Sequence, residues 1–348
     1  MRLRLVRPWH TLFVAALTAT LLWLFMRGID FGKTWTAIEQ ARPLWLAGAV
    51  AVTGVTFLLR AQRWLALLSP LGAARFRTAF RTTVIGFTAT YLLPLRPGEV
   101  LRAYLLARQE GFSAPATFAT VVVERALDLT VILLLFAASV PFVAADMTRD
   151  PVLESRLRAA CVGAAILAAF ALVSLFYFAG HPDRLGRLAA WVVRFLPARA
   201  REATLQLTRV FSEGLVIMRR PTQLVGAIVW TVMVWLSITL GIWMTSQAFD
   251  LTCSFGDTFL VTAFLSVGVS LPTPGGLGGF QLFYSLAMTR FFGASPDAAA
   301  AASIVLHAVS FVPVTLGGLA YMWQDGLTLT GLKRMRSTAE AAEGVQRK

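Results

Sequence analysis

Arg96, Glu99 and Arg102 stand within seven positions in the run Leu93-Pro94-Leu95-Arg96-Pro97-Gly98-Glu99-Val100-Leu101-Arg102, inside an otherwise apolar stretch. A guanidinium binds a phosphate through two parallel hydrogen bonds, and a broken helix offers free backbone N–H groups that favour an anion. These residues can therefore form a site for a phosphate-bearing headgroup. They can equally pair with each other, or Arg102 can snorkel to the inner surface. Arg deep in a bilayer costs upward of ~2.5 kcal/mol, so it takes a partner or a wet path.

A second group, Glu124, Arg125 and Asp128, falls near the middle of an apolar run. Glu124 and Asp128 share a helix face at i and i+4, and Arg125 reaches Asp128 at i+3. Three charges at that depth either gate or couple proton movement or brace the neighbouring arginines. Arg60, Arg63 and Trp64 close another apolar run, where they read as headgroup contacts or as an interfacial anchor. His307 lies in the last apolar run, as a proton carrier or as a packing residue. The run Pro272-Thr273-Pro274-Gly275-Gly276-Leu277-Gly278-Gly279-Phe280-Gln281 allows backbone conformations and approaches closed to other residues. No nucleotide-binding glycine loop, metal-ligand cluster or Ser–His–acid set can be nominated, so no cofactor and no metal is expected.

The elements that must hold these residues follow from composition. Charged residues make up 14% of the 348, against roughly 25% in a soluble protein, and 57% are hydrophobic. Apolar runs of membrane-crossing length predict full spans near 10–26, 43–60, 116–145, 157–179, 223–248 and 299–323. Segments 82–110 and 258–292 are apolar but broken by Pro and Gly at Pro94, Pro97 and Gly98 and at Pro272, Pro274, Gly275 and Gly276. Proline removes a donor and clashes with the preceding turn, so these read as helix–break–helix hairpins. The first apolar run follows Arg2, Arg4 and Arg7 without a small-residue cleavage site and reads as a retained helix.

The net charge of +14 is almost all Arg. No basic stretch is interleaved with aromatics in a soluble module, so nucleic acid is not the expected partner. Arg-rich loops 60–81 and 180–222 and the C-terminal tail place those segments, with the N-terminus, on the cytoplasmic side. Loops 146–156 and 249–257 are then external, and loop 27–43, with Arg27, Lys33 and Arg42, fits that side poorly. Both broken segments must return to the side they entered, one from each face. The two breaks also match in sequence, which predicts an inverted repeat of span–span–hairpin–span, a transporter arrangement. The expected organisation is one all-helical polytopic membrane domain over 1–348, with repeats at about 10–145 and 157–325. A stripe of Leu185, Leu188, Trp191, Val192 and Phe195 inside the 180–222 segment predicts a surface helix, and 326–348 reads as a tail. Cys161 and Cys253 are too few for a disulfide framework.

Arg60 to Trp64, the Leu93-Pro94…Arg96-Pro97-Gly98-Glu99…Arg102 hairpin, Glu124-Arg125…Asp128 and Pro274-Gly275-Gly276-Leu277-Gly278 come in that order. In that combination the sequence resembles the lysylphosphatidylglycerol synthase transmembrane-region family, the flippase-like membrane proteins. The resemblance covers roughly 10–325. It implies movement of a phospholipid across the membrane. The aminoacyl-transferring domain of the larger relatives has no counterpart here, so synthase activity is not implied, and a separate synthase or transferase is a possible partner. The family pattern places Glu where this chain has Gln281; a coupling acid at that position would be missing. The expected function is translocation or binding of an anionic or phosphate-bearing membrane lipid in the cell membrane. The alternative is an embedded enzyme or accessory subunit of a lipid- or polyprenyl-phosphate pathway, with Glu99 or Asp128 as general base.

Overall fold

The structure, a computed structural model, describes residues 8–93, 97–139, 151–181, 184 and 221–326. Pro94, Arg96, the expected surface helix and the C-terminal tail lie outside the described residues.

The described elements are helical: α1 (Pro8–Met26), α2 (Phe31–Glu39), α3 (Pro43–Leu68), α4 (Phe76–Leu92), α5 (Gly98–Glu110), α6 (Ala114–Ala138) and α7 (Pro151–Gly180). After them come α8 (Pro221–Ala248), α9 (Thr258–Ser270), a short 3-10 turn (Pro274–Gly276), α10 (Gly279–Phe291) and α11 (Pro296–Gln324). Three helical stretches are long and apolar enough to cross a membrane: Pro43–Leu68, Gln223–Ala248 and Pro296–Gln324. The pair α1 and α2, bent by 80°, could make a fourth. α6 has the length but carries Glu124, Arg125 and Asp128, and α7 runs 30 residues with an apolar stretch that includes Arg158–Ser174.

Apolar faces turn outward where a soluble protein would be polar. On α7, Cys161, Ala164 and Ala168 are buried, while Val162, Ile166, Leu167, Phe170 and Val173 on the other faces are exposed. A helix apolar all round belongs in lipid. α11 repeats the pattern, with Val312, Leu316 and Leu319 exposed.

Three boundaries differ from the sequence reading. α3 continues past residue 60 to Leu68, because Arg63 and Trp64, both fully buried, find partners inside the protein instead of stopping the helix at an interface. The expected loop 27–43 contains α2, whose N-cap Asp30 accepts from the N–H groups of Gly32 and Lys33. Part of the expected 146–156 loop, including Glu154 and Arg156, belongs to α7.

Both broken segments fold back on themselves. Gly86 of α4 lies against Gly98 and Arg102 of α5, so close that a Cβ on Gly98 would sit 1.7 Å from the Gly86 carbonyl oxygen. In the second pair, a Cβ on Gly268 of α9 would lie 2.4 Å from the Gly279 carbonyl oxygen of α10. Each hairpin is thus pinned by one glycine–glycine crossing. The second turn needs left-handed backbone at Gly275 and Gly276, with φ of 58° and 70°. That turn abuts the end of α4, with Gly275 against the Tyr91 carbonyl.

One apolar core joins α3 through α6 and α8 around Trp64 and Leu127; another joins α8 to α11 around Tyr284 and Met288. α3 and α8 form the most extensive helix pair and bridge the two. The N-terminal unit packs on the far end of the sequence. α1 rests on α10, with Leu21 and Leu22 against Gly278, and the Asp30 N–H donates to Asp297 Oδ1 at 2.8 Å beside α11.

Candidate functional site

The charged residues converge from three helices, α3, α5 and α6, and α8 adds an indole. Glu124 of α6 is the hub: its Oε1 lies 2.7 Å from Arg63 Nη2, 2.8 Å from Arg102 Nη2 and 2.6 Å from Arg125 Nη2. Asp128, one turn on, takes Arg63 Nη1 at 2.5 Å, Arg125 Nη2 at 3.1 Å and the Trp235 indole N–H of α8 at 2.8 Å. The i, i+4 spacing of the two carboxylates lets Arg63 bridge both. Arg63, Arg102, Glu124 and Asp128 are all at most 4% exposed. Buried charges of this kind depend on their counter-charges, and the pairing is uneven: Glu124 Oε2 and Arg102 Nη1 make no hydrogen bond among the described residues.

Aromatic rings fix the cations. Arg102 lies over Trp64 at 4.7 Å, and the Trp64 indole N–H donates to Thr120 Oγ1 at 2.9 Å. Arg60 lies over Phe87 at 4.6 Å and Phe57 at 5.8 Å, rings that meet edge to face. Attraction between a cation and a ring face grows as water is excluded.

Beside this network is a cavity of about 360 Å³, bounded by α3, both hairpins, α6, α8 and α11. Arg60, Glu99, Arg102, Arg125 and Asp128 line it on one side, with Phe57, Phe87, Tyr91, Phe280 and Phe311 as apolar walls. Such a volume is at the small end of ligand sites and suits a headgroup rather than a whole lipid. Val52, Leu129, Ile132 and Val269 also line it, and Leu129 is 56% exposed.

The residues singled out in the sequence sort into layers. Arg60, Arg102, Glu99, Arg125 and Asp128 face the cavity; Arg63 and Glu124 stand behind it and hold the others. Glu99 pairs loosely with Arg125 at 3.7 Å. His307 does not line the cavity: its Nε2 lies 2.9 Å from the Gly275 carbonyl oxygen and its ring stacks on Phe311 at 4.1 Å, bracing the second turn. Gln281 is buried and caps α10, its Oε1 accepting from the Gly278 N–H at 2.9 Å. Gly98 lines the cavity at the first crossing, whereas Pro272, Pro274, Gly275, Gly276, Gly278 and Gly279 shape the second turn and its crossing. Pro97 sits at the N-cap position of α5.

Sequence reasoning missed Trp235, the rings around Arg60, and a ladder of hydroxyls, Thr262, Ser266 and Ser270, that lines the cavity from α9. The i, i+4, i+8 spacing of the ladder was the available signal. Ring contacts between separate helices leave no such trace.

Comparisons with known proteins give the family. Residues 11–318 match the family model described as the lysylphosphatidylglycerol synthase TM region. The chain is 25% identical over 345 residues to a protein of Haloferax volcanii named glycosyltransferase AglD, covering 90% of this chain and 54% of that protein. It thus spans about half the length of that relative. A protein of Methanothermobacter thermautotrophicus named UPF0104 membrane protein is 24% identical over 307 residues, covering 83% of this chain and 88% of the relative. With its apolar helices and a match along most of its length, the chain belongs to the lysylphosphatidylglycerol synthase transmembrane-region family and is an integral membrane protein.

Proposed function

We propose that the chain binds the phosphate of a membrane lipid in the cavity between its hairpins and moves that lipid from one leaflet to the other. The observation that carries this reading is Arg60: a cation on the cavity wall, framed by Phe57 and Phe87, with no carboxylate within ion-pair distance among the described residues. Arg63, Arg102 and Arg125 are already engaged by Glu124 and Asp128, so Arg60 has charge to offer an anion. The apolar lining at Val52, Leu129 and Ile132 in this reading faces the acyl chains while the headgroup enters. In this reading six full spans and two re-entrant hairpins form an inverted repeat in the cell membrane, with both termini cytoplasmic. The paired glycine crossings support it, as do the corresponding braces, Arg125 at the first hairpin and His307 at the second. Arg96, on the first break, joins the headgroup contacts in the same scheme.

The test is headgroup accessibility in proteoliposomes carrying fluorescent phospholipid or polyprenyl-phosphate probes, with quencher added outside. The protected fraction should disappear with the native protein and persist at least tenfold longer with Arg60→Gln. Protection unchanged by the native protein for every probe would overturn translocation.

A second reading, an embedded enzyme or accessory subunit of a lipid-linked phosphate pathway, has one observation in its favour: Glu99 and Asp128 both line the same cavity. Asp128 is held by two arginines and an indole, so Glu99, about one-third exposed, is the freer base. The Haloferax relative's name is compatible with such a pathway. Turnover of a lipid phosphate lost in Glu99→Gln while translocation is absent would favour this reading.

A further inference from the structure

α3, α8 and α11, the helices long and apolar enough to cross, each have one end on the same face of the molecule, and α2 lies among those ends. α3 begins at Pro43, and the preceding Arg42 N–H donates at 2.9 Å to the carbonyl of Ala248, the last residue of α8. α11 begins at Pro296, and its Asp297 Oδ1 accepts from the N–H of Asp30, the N-cap of α2. These contacts hold the chain on both sides of α2 at the level where apolar helices leave the hydrocarbon core. α1, with Leu12, Phe13, Trp23 and Leu24 exposed, approaches that level as a lipid-facing helix. The chain then turns by 80° over residues 27–30, with Gly28 at a φ of 87°. A helix turned so far at the bilayer edge runs along the membrane.

Around α2 the side chains fall into three sectors at ~100° per residue. Thr34 is buried and Ala37 and Ile38 are half-buried, on the side that packs on the protein, chiefly α11. Phe31 and Trp35, one turn apart and each 62% exposed, form the next sector. Lys33, Thr36 and Gln40, all exposed, form the third. A helix between protein and water needs only two sectors; an exposed apolar one between them calls for a second solvent. The Trp35 indole N–H donates to Glu39 Oε1 at 2.7 Å, so the ring enters an apolar layer with its polar group satisfied. Across the bend, exposed Trp23 carries Arg27 over its ring at 5.4 Å. Two exposed indoles flanking the bend, each beside a polar partner, match the aromatic belt of a bilayer surface. The neighbouring charges are used locally: Lys33 pairs with Asp30 at 3.9 Å and Arg42 with Asp250 at 2.6 Å, so seating the helix takes no anionic lipid.

We propose that α2 is an in-plane anchor. Its Phe31 and Trp35 side chains are seated at the headgroup–acyl boundary of the leaflet on the face of loop 249–257, at the ~5–10 Å depth of amphipathic surface helices. The partner is a phospholipid surface, for which zwitterionic phosphatidylcholine suffices. α2 is then neither the last part of a span begun by α1 nor a contact for a second copy of the chain. This assignment is independent of whether the cavity moves a lipid.

The full chain in phosphatidylcholine nanodiscs tests this, in a Cys161→Ala/Cys253→Ala background. Phe31→Cys, Trp35→Cys and Thr36→Cys are made singly and labelled with bimane. Lipids bearing a nitroxide high or low on the acyl chain report depth, and iodide reports water. At Phe31→Cys and Trp35→Cys the shallow nitroxide should quench at least about twofold more than the deep one, with little effect of iodide, whereas at Thr36→Cys iodide should dominate. Iodide equally effective at Trp35→Cys and Thr36→Cys would put the stripe in water. Strongest quenching by the deep nitroxide would make α2 the end of a span. No quenching at Phe31→Cys and Trp35→Cys by any of the three would mean that a protein surface covers them. Each of these outcomes overturns the anchor. A measurement without labels guards against their disturbing the helix. The emission lost on Trp35→Phe should be smaller in phosphatidylcholine brominated high on the chain than in the plain lipid; an equal loss in both would also overturn it.

Discussion

At the scale of single residues, the network divides into side chains that hold and side chains that are free to act. Glu124 answers three arginines through one oxygen, so Glu124→Gln leaves buried guanidinium groups short of a counter-charge. We expect a loss of about 3–5 kcal/mol, the range for breaking a buried pair, seen as a large drop in thermal midpoint in detergent. Arg60→Gln removes a cation without a carboxylate partner among the described residues, and its midpoint should move far less. Equal shifts would mean that Arg60 is structural. Gln281 illustrates a different division. Its contact is a backbone cap, which a carboxylate makes equally well. Gln281 is buried with no cation beside it among the described residues, so Gln281→Glu keeps the cap but should lose stability as the acid ionises with rising pH, and Gln281→Leu should cost about 1 kcal/mol. The types of Arg60, Glu99, Arg102 and the α6 charges were conspicuous in the sequence, because charge stands out in an apolar run, whereas Arg60 read as the end of a span and lies inside α3. Which of them faced the cavity was not legible, since Arg63 and Arg60 are three positions apart and differ only in what the fold brings near them.

At the scale of elements, the hairpins were readable because proline and glycine interrupt apolar runs in a way no other residues do. Their closeness was not, because Gly86 and Gly268 sit inside helices and look like ordinary small residues. The crossings make a sharp expectation. Gly98→Ala and Gly268→Ala push a methyl into facing backbone, which cannot yield as a side chain does, and should destabilise by more than about 2 kcal/mol or abolish folding. At Gly54 of α3 and Gly226 of α8, a Cβ would meet nothing within 4 Å. Alanine there should be neutral or stabilise by up to about 1 kcal/mol through helix propensity. Thermostability of the four variants, read by size-exclusion fluorescence, separates the groups; similar losses at all four would remove the crossings from the account. α2 escaped notice because nine residues with exposed Phe31 and Trp35 read as a loop among longer apolar runs.

At the scale of the whole molecule, the orientation that places loop 249–257 outside can be read with thiols. In a background lacking the native cysteines, Thr252→Cys should react with an impermeant maleimide from outside, and Arg77→Cys only from inside; the reverse pattern would invert the topology. The native neighbour, Cys253, should stay slow. It is buried, and burial pushes its thiol up to about 11. Its alkylation rate at neutral pH should be low and rise about tenfold per pH unit toward that value, because only the thiolate reacts. A fast reaction at pH 7 would show that the loop is open. The contact between the N-terminal helix and the turn before α10 has a bearing on how the protein is made. α1 is made before the other described helices, yet the surface that receives Leu21 and Leu22 includes Gly278, more than two hundred residues later. Until the second hairpin is synthesised that surface is missing, so α1 closes on an element made long after it.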